Sequence, residues 1–375
     1  VRRHPSQQIL FLGFAACLCL LAPSAGALSW RDCANQEGDW HKTPEARRIG
    51  DNVLYFQSDF GGWYKNDGSI HPSGNAAIDV RSEEEQKKHK KSLEQRKYPC
   101  TLDNDATWSE MRFLARVHAA TGQRKYKDGF LKGVRYLLEA QYPSGGWPQF
   151  YPLRPGYSSR ITFNDGAMIG AIAILDAVVN RRPPYDLADD RLQEKCRVAV
   201  AKGRKCILKC QIVVDGKKTA WCQQHDQRTL EPAQGRISEN PSLSGSESVG
   251  VVRYLMSIKS PSPEVVAAIE GAVTWFNEVK ITGVRVLNFE DESLPGGVDR
   301  KIVVDLEAPP IWARYYDIGT NRPMFIEKGV VKYELSELSH AKRIGHLWIG
   351  GRWPNNLLKV EYPAWTRKQS SSGFD

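Results

Sequence analysis

From Thr43 to Val279 the chain is a succession of segments whose apolar residues recur at helical spacing, with little between them that reads as strand. In "RKYKDGFLKGVRYLLEAQY" the residues Phe130, Val134, Leu137 and Leu138 share one side of a helix. "TPEARRIGDNVLYFQ" opens with Thr43 where a cap belongs, Pro44 in the first turn and Glu45 behind it. "ATWSEMRFLARVHAAT" and the segments Gly166–Val179, Leu192–Ile212, Ser246–Ile258 and Pro263–Val279 continue the series. The pattern predicts an all-α architecture with a loop-rich C-terminal part, in which "KITGVRVLNF" and "KIVVDLEA" form short strands. Segment 82–97 is charged on every side, so it is expected to be a solvated helix or linker.

A second feature narrows the helix arrangement. "YFQSDFGGWYKN" and "LEAQYPSGGWPQF" each set a glutamine just ahead of a Gly-Gly-Trp turn, 84 residues apart. Such an echo predicts stacked helical hairpins whose equivalent ends carry equivalent turns. Trp63 and Trp147 offer flat surfaces there, either for closing the ends of the core or for stacking on pyranose rings. Lys65 and Asn66 follow the first turn and are candidates for contact with a polyanion.

The first 27 residues are expected to be an export signal: Arg2 and Arg3, the apolar run Ile9–Ala22, then the small-residue cleavage site Ala25–Ala27. Residues 28–375 then form a single catalytic domain. Removing the signal takes away two arginines and no acid, lowering the formal charge from +9 to +7. No zinc-finger spacing or arginine-rich arm accompanies that charge, so the expected partner is an acidic polysaccharide and not nucleic acid. No later stretch reaches the ~20 apolar residues of a membrane span, and no motif argues for an oligomer. A secreted or periplasmic monomer is expected. Six cysteines remain, Cys33, Cys100, Cys196, Cys206, Cys210 and Cys222, without a CxxC pair, which favours disulfides or buried thiols over a zinc site.

The chemistry-bearing residues lie at helix entrances. Asp103 in "TLDNDAT" and Asp165 in "ITFNDGAM" each precede an apolar-periodic run. Each can be a simple helix cap. If the two helix ends open on one face, the carboxylates can instead share a hard cation such as Ca²⁺ or run paired-acid glycoside hydrolysis. Pattern alone leaves these open. His225 in "WCQQHD" is read as a structural histidine bonded to Asp226 or a backbone carbonyl, and Ser244, Ser246 and Glu247 as the capped start of a helix.

The motifs "TLDNDAT", "KGVRYLLEAQYPSGGWPQFYPL", "ITFNDGAM", "WCQQHD", "PSLSGSESVG" and "WARYYDIGTNRPMF", spread from about Pro44 to Trp353, resemble the family 10 polysaccharide lyases, the pectate lyases. The resemblance implies an (α/α) toroid of helical hairpins with long loops and a few short strands. It also implies Ca²⁺-dependent anti β-elimination of α-1,4-linked polygalacturonate, giving 4,5-unsaturated oligogalacturonates. Carried over by motif, Asp103 and Asp165 become calcium ligands, Arg236 in "GRISE" the base that removes the C5 proton, and Arg322 and Arg314 substrate-binding residues. Three departures stand out: Asp105 occupies a family glycine position, Tyr64 a usual proline, and Ser238 a usual aromatic. An inverting glycoside hydrolase and a silent pectin-binding protein are the alternative functions.

Overall fold

The computed structural model describes residues 30–64, 83–98 and 100–372. The export signal, Lys65 and Asn66 lie outside the described residues. Among those described, seven helices form the body: α1 (Pro44–Tyr55), α2 (Trp108–Thr121), α3 (Arg124–Ala140), α4 (Ala167–Val179), α5 (Asp190–Cys210), α6 (Glu247–Met256) and α7 (Pro263–Glu278). Their boundaries follow local chemistry. Thr43 Oγ1 accepts from the Ala46 amide with Pro44 beginning α1, Asp189 Oδ1 accepts from Leu192 at the head of α5, and Ser262 with Pro263 starts α7.

The helices pair as antiparallel hairpins, α2 with α3, α4 with α5 and α6 with α7. The hairpins then stack, so that α2, α4 and α6 form an inner row and α1, α3, α5 and α7 an outer one. This is the expected toroid. α4, apolar almost all round, lies wholly inside, whereas the outer helices keep one wet face.

The glutamine–tryptophan echo holds the stack together. Gln57 Nε2, just past α1, donates to Gly61 O at 2.8 Å in its own turn and to Gly129 O at 2.9 Å in α3. Gln141, past α3, repeats this with Gly145 O and with Ala199 O of α5. Gln211, past α5, repeats it again with Thr219 O and with Ala268 O of α7, a third copy that the sequence hides because no Gly-Gly precedes Trp221. Each tryptophan indole donates back into the preceding outer helix: Trp63 to Val53 O, Trp147 to Leu137 O and Trp221 to Ile207 O, at 2.7–2.8 Å. Gly61 (φ +100°) and Gly145 (φ +99°) are required in these turns: a Cβ would lie 2.6 Å from Lys132 O and 2.2 Å from Lys202 O.

The C-terminal part packs against the helices, with the Trp312 indole donating to Phe276 O of α7 at 2.9 Å. Strand β1 (Leu243–Ser244) pairs with β4 (Tyr315–Tyr316), while β2 (Val284–Glu290) and β3 (Val298–Val304) form an antiparallel hairpin in register from Val284↔Val304 to Glu290↔Val298. At seven residues each, β2 and β3 are longer than the short strands expected. The charged segment is helical over Glu83–Glu94, and Leu93 is the one buried side chain among those described on it. The six described cysteines are free, buried thiols; Cys206 and Cys210 lie closest, 3.9 Å apart. No described helix is long and apolar enough to cross a membrane.

Candidate active site

All loops that run from an outer helix into the next inner helix emerge at the same end of the toroid, and the chemistry collects there. Asp103 sits in the 3₁₀ turn Asp103–Asp105 ahead of α2, Asp165 in the matching turn Asn164–Gly166 ahead of α4. Neither caps its helix. Both turns contain left-handed residues, Asn104 (φ 51°) and Asp105 (φ 64°) in one, Asp165 (φ 50°) in the other, and Thr107 just ahead of α2 also has positive φ (71°). The family's glycine position at Asp105 is thus a left-handed one, which an aspartate occupies at a modest steric cost.

Hydrogen bonds fix these turns from outside. Thr107 Oγ1 donates to Thr101 O at 2.8 Å and accepts from the Trp63 amide at 3.0 Å, tying the first acidic turn to the Gly-Gly-Trp turn. The amides of Phe163 and Asn164 both donate to Gln223 O, tying the second to "WCQQHD". His225 anchors that loop: buried, it meets Leu230 O through Nδ1 at 2.8 Å and accepts from the Cys222 amide through Nε2 at 3.1 Å. Burial pushes its pKa down to about 4, so it is a structural histidine, as expected.

The turns bring Asp103 and Asp165 into hydrogen-bonding contact. Burial, then the charge of Asp103 and that hydrogen bond, push the Asp165 pKa up to about 6; Glu247 adds to the effect and Arg314 opposes it. Carboxyl groups in hydrogen-bonding contact do not match the ~6.5–9.5 Å separation of an inverting hydrolase's acid and base.

Arg314 is placed by the β1–β4 pairing, with the Gly245 amide donating to Arg314 O at 2.9 Å. Its Nη2 donates to Glu247 Oε1 at 2.7 Å and to Asn164 Oδ1 at 3.3 Å, so it stands against the acidic turns. Glu247 is the residue that sequence reasoning missed. It begins α6, as Asp103 and Asp165 precede α2 and α4, and its apparent role was a cap. The capping oxygen is instead Ser244 Oγ, which accepts from the Glu247 amide at 3.1 Å and donates to its carboxylate. The signal available was the position itself, the third inner-helix entrance.

Arg236 lies on the neighbouring loop, its side chain 56% exposed. Glu239, almost fully buried, accepts from the Arg236 amide and from Nε at 2.9 Å each, fixing both backbone and guanidinium. Burial favours the neutral form, but Glu239 outweighs it and the Arg236 pKa is raised. Arg236 and Arg314 both act on His346, whose pKa falls to about 4 through burial and then the charges of Arg314, Arg236, Lys342 and Arg300. The two arginines therefore share one electrostatic neighbourhood.

Arg322 is exposed on the C-terminal part, its guanidinium 4.0 Å from the Tyr333 ring centroid, and its described contacts do not include the acidic pair. Trp147 is a correction. It has no exposed surface, and its indole hydrogen bond is the repeat feature that Trp63 and Trp221 share, so it packs the core and cannot stack on a sugar.

A cation fits the acidic pair in one respect: burial and the neighbouring charge of Asp103 disfavour the ionised form of the half-buried Asp165, and a positive ion relieves that penalty. Among the described residues no group of three or more His, Cys, Asp or Glu side chains is arranged around a metal position. An ion held by Asp103 and Asp165 would take its other oxygens from backbone, water or substrate, as Ca²⁺ does.

Toroid, acidic turns and arginines together set carboxylates and guanidinium groups at one end of the helix stack, and the comparisons with known proteins give the family. The pectic acid lyase family model matches residues 57–358. A family 10 polysaccharide lyase from Cellvibrio cellulosa superposes with TM-score 0.71 at 32% identity, covering 89% of this chain and 94% of that one. An aspartate-to-alanine mutant of the family 10 enzyme from that organism, in complex with trigalacturonic acid, matches with TM-score 0.70 at 32% identity over 89% of this chain and 95% of its own. No curated protein sequence matches. The chain belongs to the pectic acid lyase family, and it is a polysaccharide lyase of family 10.

Proposed function

We infer that this protein cleaves polygalacturonate by anti β-elimination, with Arg236 as the base, Arg314 and Arg322 on substrate carboxylates, and Asp103 and Asp165 holding Ca²⁺. The observation that carries the reading is the meeting of Asp103 and Asp165 beside Arg314, in a chain of this family. A relative bound to trigalacturonic acid supports the choice of polymer.

The C5 proton of a uronate lies next to a carboxylate, and removing it drives more negative charge onto that group. A Ca²⁺ at the acidic pair would supply positive charge there. Arg314 presents a fixed guanidinium to the same region: Glu247 and Asn164 aim it, and its raised pKa keeps it charged. The positive ends of α2 and α4 point the same way and favour an anion.

Arg236 takes the C5 proton on a guanidine nitrogen, the C4–O4 bond breaks, a C4=C5 double bond forms, and the departing oxygen gains a proton from solvent. Glu239 holds Arg236 in place and also keeps it protonated, so the neutral guanidine is scarce and the rate rises toward alkaline pH. An export signal at 1–27 would deliver the enzyme to an extracellular polymer.

The test is ultraviolet absorbance of the unsaturated uronate during incubation with polygalacturonate, with and without chelator. A signal that chelation removes and calcium restores is expected. New reducing ends without absorbance would indicate hydrolysis, and retention of polymer without either would indicate a silent binding protein.

A further inference from the structure

Beside the Arg236 loop lies a groove of ≈ 330 Å³, within the ~300–1,000 Å³ range of ligand pockets. One wall is Arg236, Ile237 and Ser238; facing it are Lys342 and His346 of the helix α8 (His340–Gly345) and its following residue, over Trp348. Helix α8 is anchored firmly. Arg343 forks onto Asp299 at 2.7 Å through Nε and Nη2, Arg300 Nη1 donates to His346 O at 2.8 Å, and the Trp348 indole donates to Lys342 O at 2.8 Å.

Lys342 thus has a fixed backbone, yet among the described residues its ammonium reaches only the Ser238 hydroxyl, at 3.3 Å. Among the described residues no carboxylate comes within ion-pairing distance of it, whereas Arg236, Arg314 and Arg343 each have one. Four cationic groups, Arg314, Arg236, Lys342 and Arg300, depress the pKa of His346. The imidazole is neutral at ordinary pH and gives the groove a donor or acceptor without a further charge. Ile237 is 67% exposed at the groove's edge and offers an apolar face to a sugar ring.

We propose that Lys342 binds the carboxylate of a uronate residue adjacent to the one being cleaved, and so makes the enzyme prefer free over methyl-esterified residues in this groove. The proposal rests on the polygalacturonate reading above and adds a specificity-determining residue to it. A fixed ammonium lacking an acidic partner gains a charge-assisted hydrogen bond from a free carboxylate, and much less from a neutral ester.

The test compares wild type, Lys342→Gln and Lys342→Arg on polygalacturonate and on highly methyl-esterified pectin, with circular dichroism to check folding. Lys342→Gln is expected to raise KM on polygalacturonate at least roughly tenfold, with kcat within about twofold, and to leave KM on the esterified polymer unchanged. Lys342→Arg should recover most of the loss. Equal KM changes on both polymers, or none on polygalacturonate, would overturn the proposal. Retardation in a gel containing polygalacturonate reads the groove apart from turnover: less retardation for Lys342→Gln supports the role, and equal retardation overturns it. Wild type that is retarded but forms no unsaturated product would instead overturn the elimination reading and leave the gel comparison to decide on Lys342.

Discussion

Asp165→Asn should make the metal-free protein more stable, although it removes a residue the site needs. In the folded chain Asp165 titrates at about 6 against an ordinary value of 3.8, raised by burial and by Asp103. Folding therefore binds a proton between those values: the contribution of Asp165 to stability is greatest below about pH 4 and is lost as pH rises through 6, where the charged pair must be held together. The full displacement corresponds to ~3 kcal/mol at 1.36 kcal/mol per unit. Asp165 is not wholly shielded from water, so screening reduces this to about 1–2 kcal/mol. The asparagine keeps a carbonyl oxygen to accept the 2.6 Å bond from Asn164 and carries no charge. Thermal unfolding in chelator should show a Tm gain of about 1–3 °C for the variant above pH 7, shrinking toward zero near pH 4. Added calcium should then raise the Tm of wild type more than that of the variant. A variant less stable than wild type above pH 7, or a gain independent of pH, would refute the claim that Asp165 and Asp103 repel each other.

Three further outcomes follow from other positions. Arg236→Lys should cut kcat by roughly 10²–10⁴-fold with a much smaller change in KM, measured by unsaturated-uronate absorbance, because lysine cannot keep both the Glu239 contact and the proton-taking nitrogen in place. Asp105→Gly should stabilise by ~0.5–1 kcal/mol in denaturant titration, since it relieves a left-handed aspartate at the expense of some chain entropy. Trp147→Ala should cost ~3–5 kcal/mol of stability, and in protein still folded at low temperature should leave KM nearly unchanged, as befits a core residue.

The helices were legible because apolar periodicity and end signals agree in each: Thr43 with Pro44, and Ser262 with Pro263, mark starts that the structure reproduces. The Gly-Gly-Trp echo gave the stacking for the same reason, a repeated local need for a tight turn under a buried indole. The third copy was hidden because its turn is spaced by the extra hairpin Val213–Lys218, with Thr219 in the glycine's place. Asp103 and Asp165 were found by position, but their backbone was not: left-handed φ at non-glycine residues leaves no composition signal, and both were weighed as caps they are not. Glu247 was hidden by the opposite error, an ordinary capping motif that masks the carboxylate gripping Arg314. Trp147 looked like a platform because flatness is visible in sequence and burial is not.

The glutamine clamps set the angular step from one outer helix to the next, and the inner helices ride on that step. Asp103, Asp165 and Glu247 are thus one architectural corner presented three times, and their mutual distances are a property of the spiral's pitch. A change at Gln141, remote from any sugar, would alter the spacing of the acids by rotating one storey of the building against the next.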